Sequence, residues 1–113
     1  MSLGPGAIVT VHLVNPTEKF WGVLEGLELV GVTLRGINLS SFDDWIGEAA
    51  RGERNLGLST MFAPLFRVER IFLDEPVGEV ESYKQRFARR VGVAVERYLG
   101  IGDEEGEAAE VPS

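Results

Sequence analysis

The chain consists of segments with the two-residue period of a strand and segments with the period of a helix. Residues 7–14, AIVTVHLV, alternate β-branched and other apolar residues and predict a strand that is partly buried on both faces. Asn15 and Pro16 then open a polar cluster, which predicts a turn because proline fixes φ. Four further segments have strand-like composition: residues 19–29, 30–39, 56–66 and 67–75.

Glycines recur every four or five residues in the second and third predicted strands, at Gly22, Gly26, Gly31 and Gly36. Glycine weakens the interior of a strand, so a repeated pattern marks bends, bulges or a close approach of two backbones. Strongly bent strands are what a small barrel needs to close on itself. The pattern therefore predicts a small, strongly bent, five-stranded β-barrel.

Two segments have the 3.6-residue period of a helix. Between the third and fourth strands, residues 41–51 carry an apolar stripe, with Ser41 as the predicted N-cap and Gly52 as the C′ residue. After the fifth strand, residues 79–99 carry apolar residues on one side and arginines on the other, which predicts one C-terminal amphipathic helix. The predicted fold class is therefore mostly β with two helices (α+β).

Length and composition predict one domain. With 113 residues, 44% of them hydrophobic and 26% charged, the chain can bury roughly two thirds of its unfolded surface. We expect residues 1–99 to form this domain, with the barrel strands in 7–75, and residues 100–113 to form a flexible acidic tail. No apolar run approaches the roughly 20 residues of a membrane-spanning helix. No secretion signal is evident, so we expect a cytoplasmic location and no membrane partner.

The net charge of −7 is concentrated at the C-terminus. Residues 100–113 hold five acidic residues and no basic one, whereas residues 1–99 hold 13 acidic and 11 basic residues. The predicted domain is thus close to neutral. The charge of the domain therefore gives no evidence for or against an anionic partner.

The chain offers little for catalysis or for a cofactor. His12 is the only histidine, lies mid-strand and has no sequence neighbour that would make it a general base. The absence of cysteine excludes disulfides and thiolate metal sites. The acidic pairs Asp43–Asp44 and Asp74–Glu75 lack the spacing of a calcium loop, and no glycine-rich phosphate-binding motif is present. We therefore expect no enzyme activity, no catalytic residue, no metal and no cofactor.

Two sets of side chains could bind a partner. A basic set could contact the phosphates of RNA, each contact adding salt-sensitive affinity, although the solvated face of an amphipathic helix is the alternative interpretation. Its members are Arg35, Lys84, Arg86, Arg89, Arg90 and Arg97. An aromatic set could line a small-ligand groove, for which core packing is the alternative. Its members are Trp21, Trp45, Phe62, Phe66 and Phe72.

Within the second and third strands, the sequence resembles the first conserved block of the Sm-like family. That block has an apolar residue, a glycine two positions on, another apolar residue and, six residues after the glycine, an aspartate. Phe20, Gly22, Leu24 and Gly26 fit this pattern, and Glu28 stands at the aspartate position. The resemblance covers roughly residues 7–75. It implies a five-stranded SH3-like barrel of the kind that usually assembles into rings through its edge strands.

The residues with which Sm-like proteins bind RNA are matched only in part. The family uses an asparagine four residues after the aspartate position, where this chain has Val32. Its second block carries Arg-Gly between apolar residues, which Arg35 and Gly36 match in composition. In the family, however, that block joins the last two strands, whereas here it follows the first block directly. RNA binding is therefore an alternative and does not follow from the resemblance.

Together these features predict a non-catalytic interaction module whose partner is itself, as a homo-oligomer, or another protein. Short open barrels leave unpaired strand edges that must be covered or paired, so we expect self-association through the edges or through the helix at 79–99. An RNA-binding Sm/Hfq-like protein is one alternative. A barrel that binds a small ligand in a deep apolar pocket is the other.

Overall fold

The computed structural model describes residues 3–101, which form a mostly-β α+β fold with a five-stranded antiparallel sheet and three helices. The strands are β1 (Ile8–Leu13), β2 (Glu18–Glu28), β3 (Gly31–Asn38), β4 (Ser59–Pro64) and β5 (Val68–Leu73). The helices are α1 (Phe42–Ala50), α2 (Tyr83–Val91) and α3 (Val95–Leu99). Single 3-10 turns, η1 (Leu39–Ser41) and η2 (Leu65–Arg67), precede α1 and β5. The chain divides after Asp74 into two compact units, the first with the sheet and α1, the second with α2 and α3.

The strands pair in the order β4-β3-β2-β1-β5, and each pair is antiparallel. The five strands predicted from the sequence are confirmed, as is the helix between the third and fourth. In this strand order, β4 and β5 lie at the two edges of the sheet. Within residues 3–101, no ladder joins β4 to β5, and neither strand has a second neighbour.

One face of the sheet carries a core to which all five strands contribute. Its buried members are Val9, Val11, Leu13, Leu24, Val32, Leu34 and Ala63. Partly buried residues from β2, β4 and β5 pack against them, including Phe20, Met61, Ile71 and Leu73. Because alternate residues of a strand point to the same face, this core explains the two-residue period of the sequence. Full burial of each valine or leucine side chain stabilises the fold by about 1.5–3 kcal/mol.

The opposite face packs against α1 through aromatic rings. The Trp21 ring in β2 lies 5.1 Å from the Phe42 ring and 5.6 Å from the Trp45 ring, measured between centroids. The indole N–H of Trp21 donates a hydrogen bond to Asp74 Oδ2 at 3.0 Å, just after β5. The apolar stripe predicted for residues 41–51 is thus the contact surface between α1 and the sheet.

The spaced glycines allow β2 and β3 to approach closely. Gly22 lies opposite Gly36 in the register. A Cβ atom at Gly22 would collide with the carbonyl oxygen of Arg35, and one at Gly36 with the carbonyl oxygen of Trp21. Gly26 marks a register shift in β2, the kind of irregularity that bends a strand. A close approach and a bulge, both expected from the glycine pattern, are therefore present.

The prediction of one amphipathic helix over residues 79–99 is wrong. Ser82 caps α2, and its hydroxyl accepts a hydrogen bond from the Gln85 N–H, so the helix begins only at Tyr83. Gly92 ends α2 with a left-handed φ of 96°, a conformation that glycine adopts without a steric cost. The apolar stripe continues across this break into the separate helix α3. Of the predicted acidic tail, residues 102–113 lie outside the described part of the chain.

Candidate interaction surface

An exposed apolar surface lies where β4 and η2 meet the turn between β2 and β3. We refer to it as the β4 surface, and its members are Leu29, Val30, Phe62, Leu65 and Phe66. Leu29 is 94% exposed, Phe66 84% and Phe62 53%. The Leu65 N–H donates a hydrogen bond of 2.9 Å to the Val30 carbonyl oxygen, so the turn and η2 are held side by side.

Strand pairing and side-chain hydrogen bonds hold the backbone that carries the β4 surface. Gly31 pairs with Pro64, and a Cβ atom at Gly31 would collide with the ring of Phe62, so the ring lies directly over this glycine. In η2, the Arg67 side chain is only 22% exposed. Its guanidinium donates hydrogen bonds to the carbonyl oxygens of Val14 and Pro16 at 3.0 and 2.6 Å, and it pairs with Glu18 at 3.0 Å. These contacts tie η2 to the turn between β1 and β2.

The two segments of the chain that form the β4 surface contain no charged residue. Residues 55–66, NLGLSTMFAPLF, contain no ionisable side chain, and neither do residues 29–34, LVGVTL. From the exposures of its five members, the surface amounts to roughly 600 Å². That is at the upper end of the apolar patches found on monomeric proteins, and patches of this size are commonly functional.

The basic set predicted for RNA is divided between the two units, and acids already pair with most of it. Arg35 lies in the first unit, in β3, 3.7 Å from Glu25. In the second unit, Lys84 pairs with Glu96 at 3.3 Å.

Glu81 pairs with two further members of the basic set. Arg89 donates two hydrogen bonds to its carboxylate, at 2.7 and 3.1 Å, and Arg86 lies 3.5 Å away. The hydrogen bond from Arg89 lowers the pKa of Glu81, with the charges of both arginines adding to the effect. Arg90 and Arg97 are exposed and form no ion pair within residues 3–101. Within the described part of the chain, two of the six residues proposed for phosphate contacts are thus without an ion pair.

The members of the aromatic set lie in three separate places. Trp21 and Trp45 are buried between the sheet and α1, which is the core packing considered as the alternative. Phe62 and Phe66 belong to the β4 surface, whereas Phe72 lies on β5 beside His12, with ring centroids 5.1 Å apart. An open cleft of about 310 Å³ exists elsewhere in the first unit. It is lined by Thr17, Glu18, Lys19, Asn38, Leu39 and Ser40, none of which is aromatic.

His12 is positioned by packing against the ring of Phe72. Partial burial lowers the pKa of its imidazole, and the charges of Lys19 and Arg70 lower it further.

Within residues 3–101, no three or more His, Cys, Asp or Glu side chains lie close enough together to hold a metal ion. In the same part of the chain, no helix has the length and apolar character to cross a membrane.

Sequence reasoning missed Leu29, Val30 and Leu65, which it assigned only to strand-like segments. No sequence signal indicates Leu29 and Val30. Leu65 lies in the uncharged run of residues 55–66, which becomes informative only once β4 is known to be an edge strand, because edge strands usually carry charges that prevent pairing. Phe62 and Phe66 were singled out, but for a ligand groove.

Comparison of the chain with protein-family models, with curated proteins and with solved structures finds no match.

Proposed function

We propose that the first unit is a small SH3/Sm-like β-barrel that serves as a non-catalytic interaction module and self-associates through the edges of its sheet. The barrel has three kinds of support. The order β4-β3-β2-β1-β5 places the last two strands at opposite edges, and the single 3-10 turn η2 joins them. Residues of all five strands contribute to one core, as they would in a strongly curved sheet.

The main support for self-association is that the β4 surface lies beside an unpaired strand edge. Within the described residues, β4 pairs only with β3, so its second side presents free backbone donors and acceptors. Exposed edges of this kind pair with other strands unless charge, proline or a covering segment prevents it. An apolar area of roughly 600 Å² next to the edge approaches the roughly 800 Å² that each partner contributes to a standard interface.

RNA binding is the alternative function, and its support is the exposure of Arg90 and Arg97. Lys84, Arg86 and Arg89 are paired with acids of the same unit, so an RNA would have to displace these pairs. Each displaced pair reduces the net gain from a phosphate contact. Self-association therefore has the stronger support.

Light scattering coupled to size-exclusion chromatography tests self-association directly. We expect the mass to be a multiple of the 12.4 kDa of one chain at micromolar concentrations. Replacing Phe66, which is 84% exposed in the β4 surface, by serine should lower the associated fraction. Phe72→Ser is the matched control, since Phe72 is a partly exposed phenylalanine outside that surface. A mass of 12.4 kDa throughout, or an associated fraction that Phe66→Ser leaves unchanged, would contradict the proposal.

A further inference from the structure

We infer that the partner of β4 is the β4 strand of a second copy, and that the two strands pair antiparallel about a twofold axis to give a closed dimer. This inference rests on the proposed self-association and specifies its interface. It differs from the ring expected of Sm-like proteins, in which one edge meets a different edge. It is supported by the outer backbone groups of β4, by the charges of the two sheet edges and by the area of the β4 surface.

The backbone of β4 presents hydrogen-bonding groups on its outer side. Pro64 has no N–H to donate, and the next residue, Leu65, donates its N–H to Val30 at 2.9 Å. Because hydrogen-bonded and non-hydrogen-bonded pairs alternate in an antiparallel ladder, Met61 and Ala63 make the bonds to β3. The N–H and carbonyl groups of Thr60 and Phe62 then point away from β3. An antiparallel neighbour can pair with all of them.

Charge distinguishes the two edges of the sheet. The β4 edge belongs to an uncharged run, residues 55–66, so a second copy meets it without like-charge repulsion. The β5 edge carries Glu69 and Arg70, both exposed, with 3.7 Å between their charged groups. Exposed charges on an edge strand are a means of preventing edge pairing. The edge that is free to pair is therefore β4, and its simplest complement is an identical β4.

The twofold arrangement also covers the part of the β4 surface that lies on β4 itself. In such a pair the Phe62 side chains of the two copies lie on the same face of the extended sheet, within about 8 Å of each other. Phe62 and its neighbours in the β4 surface can then contribute at most roughly 600 Å² from each copy, below the standard interface. A closed dimer satisfies both β4 edges at once and leaves only the charged β5 edges at its ends.

The absence of cysteine makes cross-linking a clean test. Thr60→Cys and Phe62→Cys each introduce a single thiol at the exposed edge, and a bis-maleimide of about 10 Å reach can join two copies only where identical residues meet. Only a twofold interface brings identical residues together. We expect covalent dimers and nothing larger from both variants. Arg70→Cys, on the β5 edge, is the matched control and should give none.

The other possible outcomes show whether the β4–β4 interface alone is wrong or whether the proposed self-association is wrong as well. If the chain associates but only the double variant with cysteines at Phe62 and Arg70 cross-links, β4 pairs with β5 and the inference is wrong, whereas self-association through edges stands. If the chain associates without any of these cross-links, the interface lies elsewhere and the edge pairing itself is wrong. If no association is detected, both the inference and the proposed function fail.

Proline substitution tests the backbone pairing independently of cross-linking. Thr60→Pro removes an N–H that points away from β3, so the β3–β4 ladder keeps its bonds while the outer edge loses a donor. We expect the dimer dissociation constant to rise at least about tenfold relative to Thr60→Ala, which retains the N–H. Circular dichroism establishes that both variants are folded. Equal dissociation constants for the two folded variants would overturn the inference.

Discussion

Replacing Gly22 by alanine should destabilise the sheet far more than the same change at Gly26, although both glycines lie in β2. A Cβ atom at Gly22 would collide with the Arg35 carbonyl oxygen and lie 2.5 Å from the Gly36 Cα atom. Both are backbone atoms, so β2 and β3 would have to separate by roughly 1 Å to reach ordinary contact distances. At Gly26, the nearest atoms are the Thr33 Cβ and Oγ1 at 3.8 Å, an ordinary contact.

The expected size of the effect follows from this geometry. Overpacking a well-packed site costs about 1–3 kcal/mol, and weakening the adjacent ladder hydrogen bonds costs about 1 kcal/mol for each bond lost. We therefore expect Gly22→Ala to lower the free energy of unfolding by about 3 kcal/mol. For a domain of this size, that corresponds to a fall in Tm of roughly 10–20 °C. Gly26→Ala should leave stability unchanged or raise it by up to about 1 kcal/mol, since alanine loses less backbone entropy than glycine.

Urea unfolding followed by tryptophan fluorescence measures this difference. Both tryptophans, Trp21 and Trp45, are buried in the first unit, so their fluorescence reports on the sheet and α1. Equal slopes of free energy against urea would show that the two variants unfold through the same transition. If Gly22→Ala proved as stable as Gly26→Ala, the close approach of β2 and β3 would be refuted.

Three further predictions concern the hydrogen bond from Trp21 to Asp74, the titration of His12 and the binding of RNA. Trp21→Phe keeps an aromatic ring but removes the indole N–H that donates to Asp74, and should lower the free energy of urea unfolding by about 2–4 kcal/mol; an effect below about 0.5 kcal/mol would show that the bond is unimportant. The lowered pKa of His12 means that the unfolded chain takes up the proton first, so stability is complete above pH 6.5 and falls as the pH drops below it. His12→Gln should flatten this fall between pH 6.5 and about 5.5, above the range in which carboxylates titrate, and an unchanged slope would contradict the assignment. Finally, a random pool of single-stranded RNA should not be retained at low salt; retention that Arg90→Glu and Arg97→Glu together abolish would favour the RNA-binding alternative instead.

Much of the fold could be predicted because its causes are local. The alternation in residues 7–14 reflects a strand with a core face, and the spacing of Phe42, Trp45 and Ile46 reflects a helix that lies on the sheet. Gly52 is the C′ residue as predicted, with φ of 75°. The predicted N-cap bond at Ser41 is not made, because the 3-10 turn η1 precedes α1.

The break in the C-terminal helix could not be found from periodicity. The apolar stripe continues from α2 into α3, so the period alone favoured one helix, and Gly92 counted only as a cost of about 1 kcal/mol. Its left-handed φ decides between a weak helix interior and a helix end, and that choice depends on the surrounding structure. The same applies to the bond between Trp21 and Asp74, which joins residues 53 positions apart.

The β4 surface was hidden from sequence reasoning by the usual assignment of apolar residues to the core. Leu29 and Val30 occupy the two positions between the end of β2 and the start of β3, so the hairpin leaves their side chains exposed. Phe62 lies on the face opposite the core that Met61 and Ala63 line, and alternation alone does not say which face is covered. The strand order is needed to see that this face lies at an edge.

Pairing between two copies depends on the outer backbone groups of β4, and amide hydrogen exchange measures these groups one residue at a time. We predict that the Thr60 and Phe62 amides become more protected as protein concentration rises, while the Met61 and Ala63 amides, bonded to β3, are protected at every concentration. Exchange of the Thr60 and Phe62 amides that stays fast and independent of concentration, in a chain that remains folded, would contradict pairing at this edge.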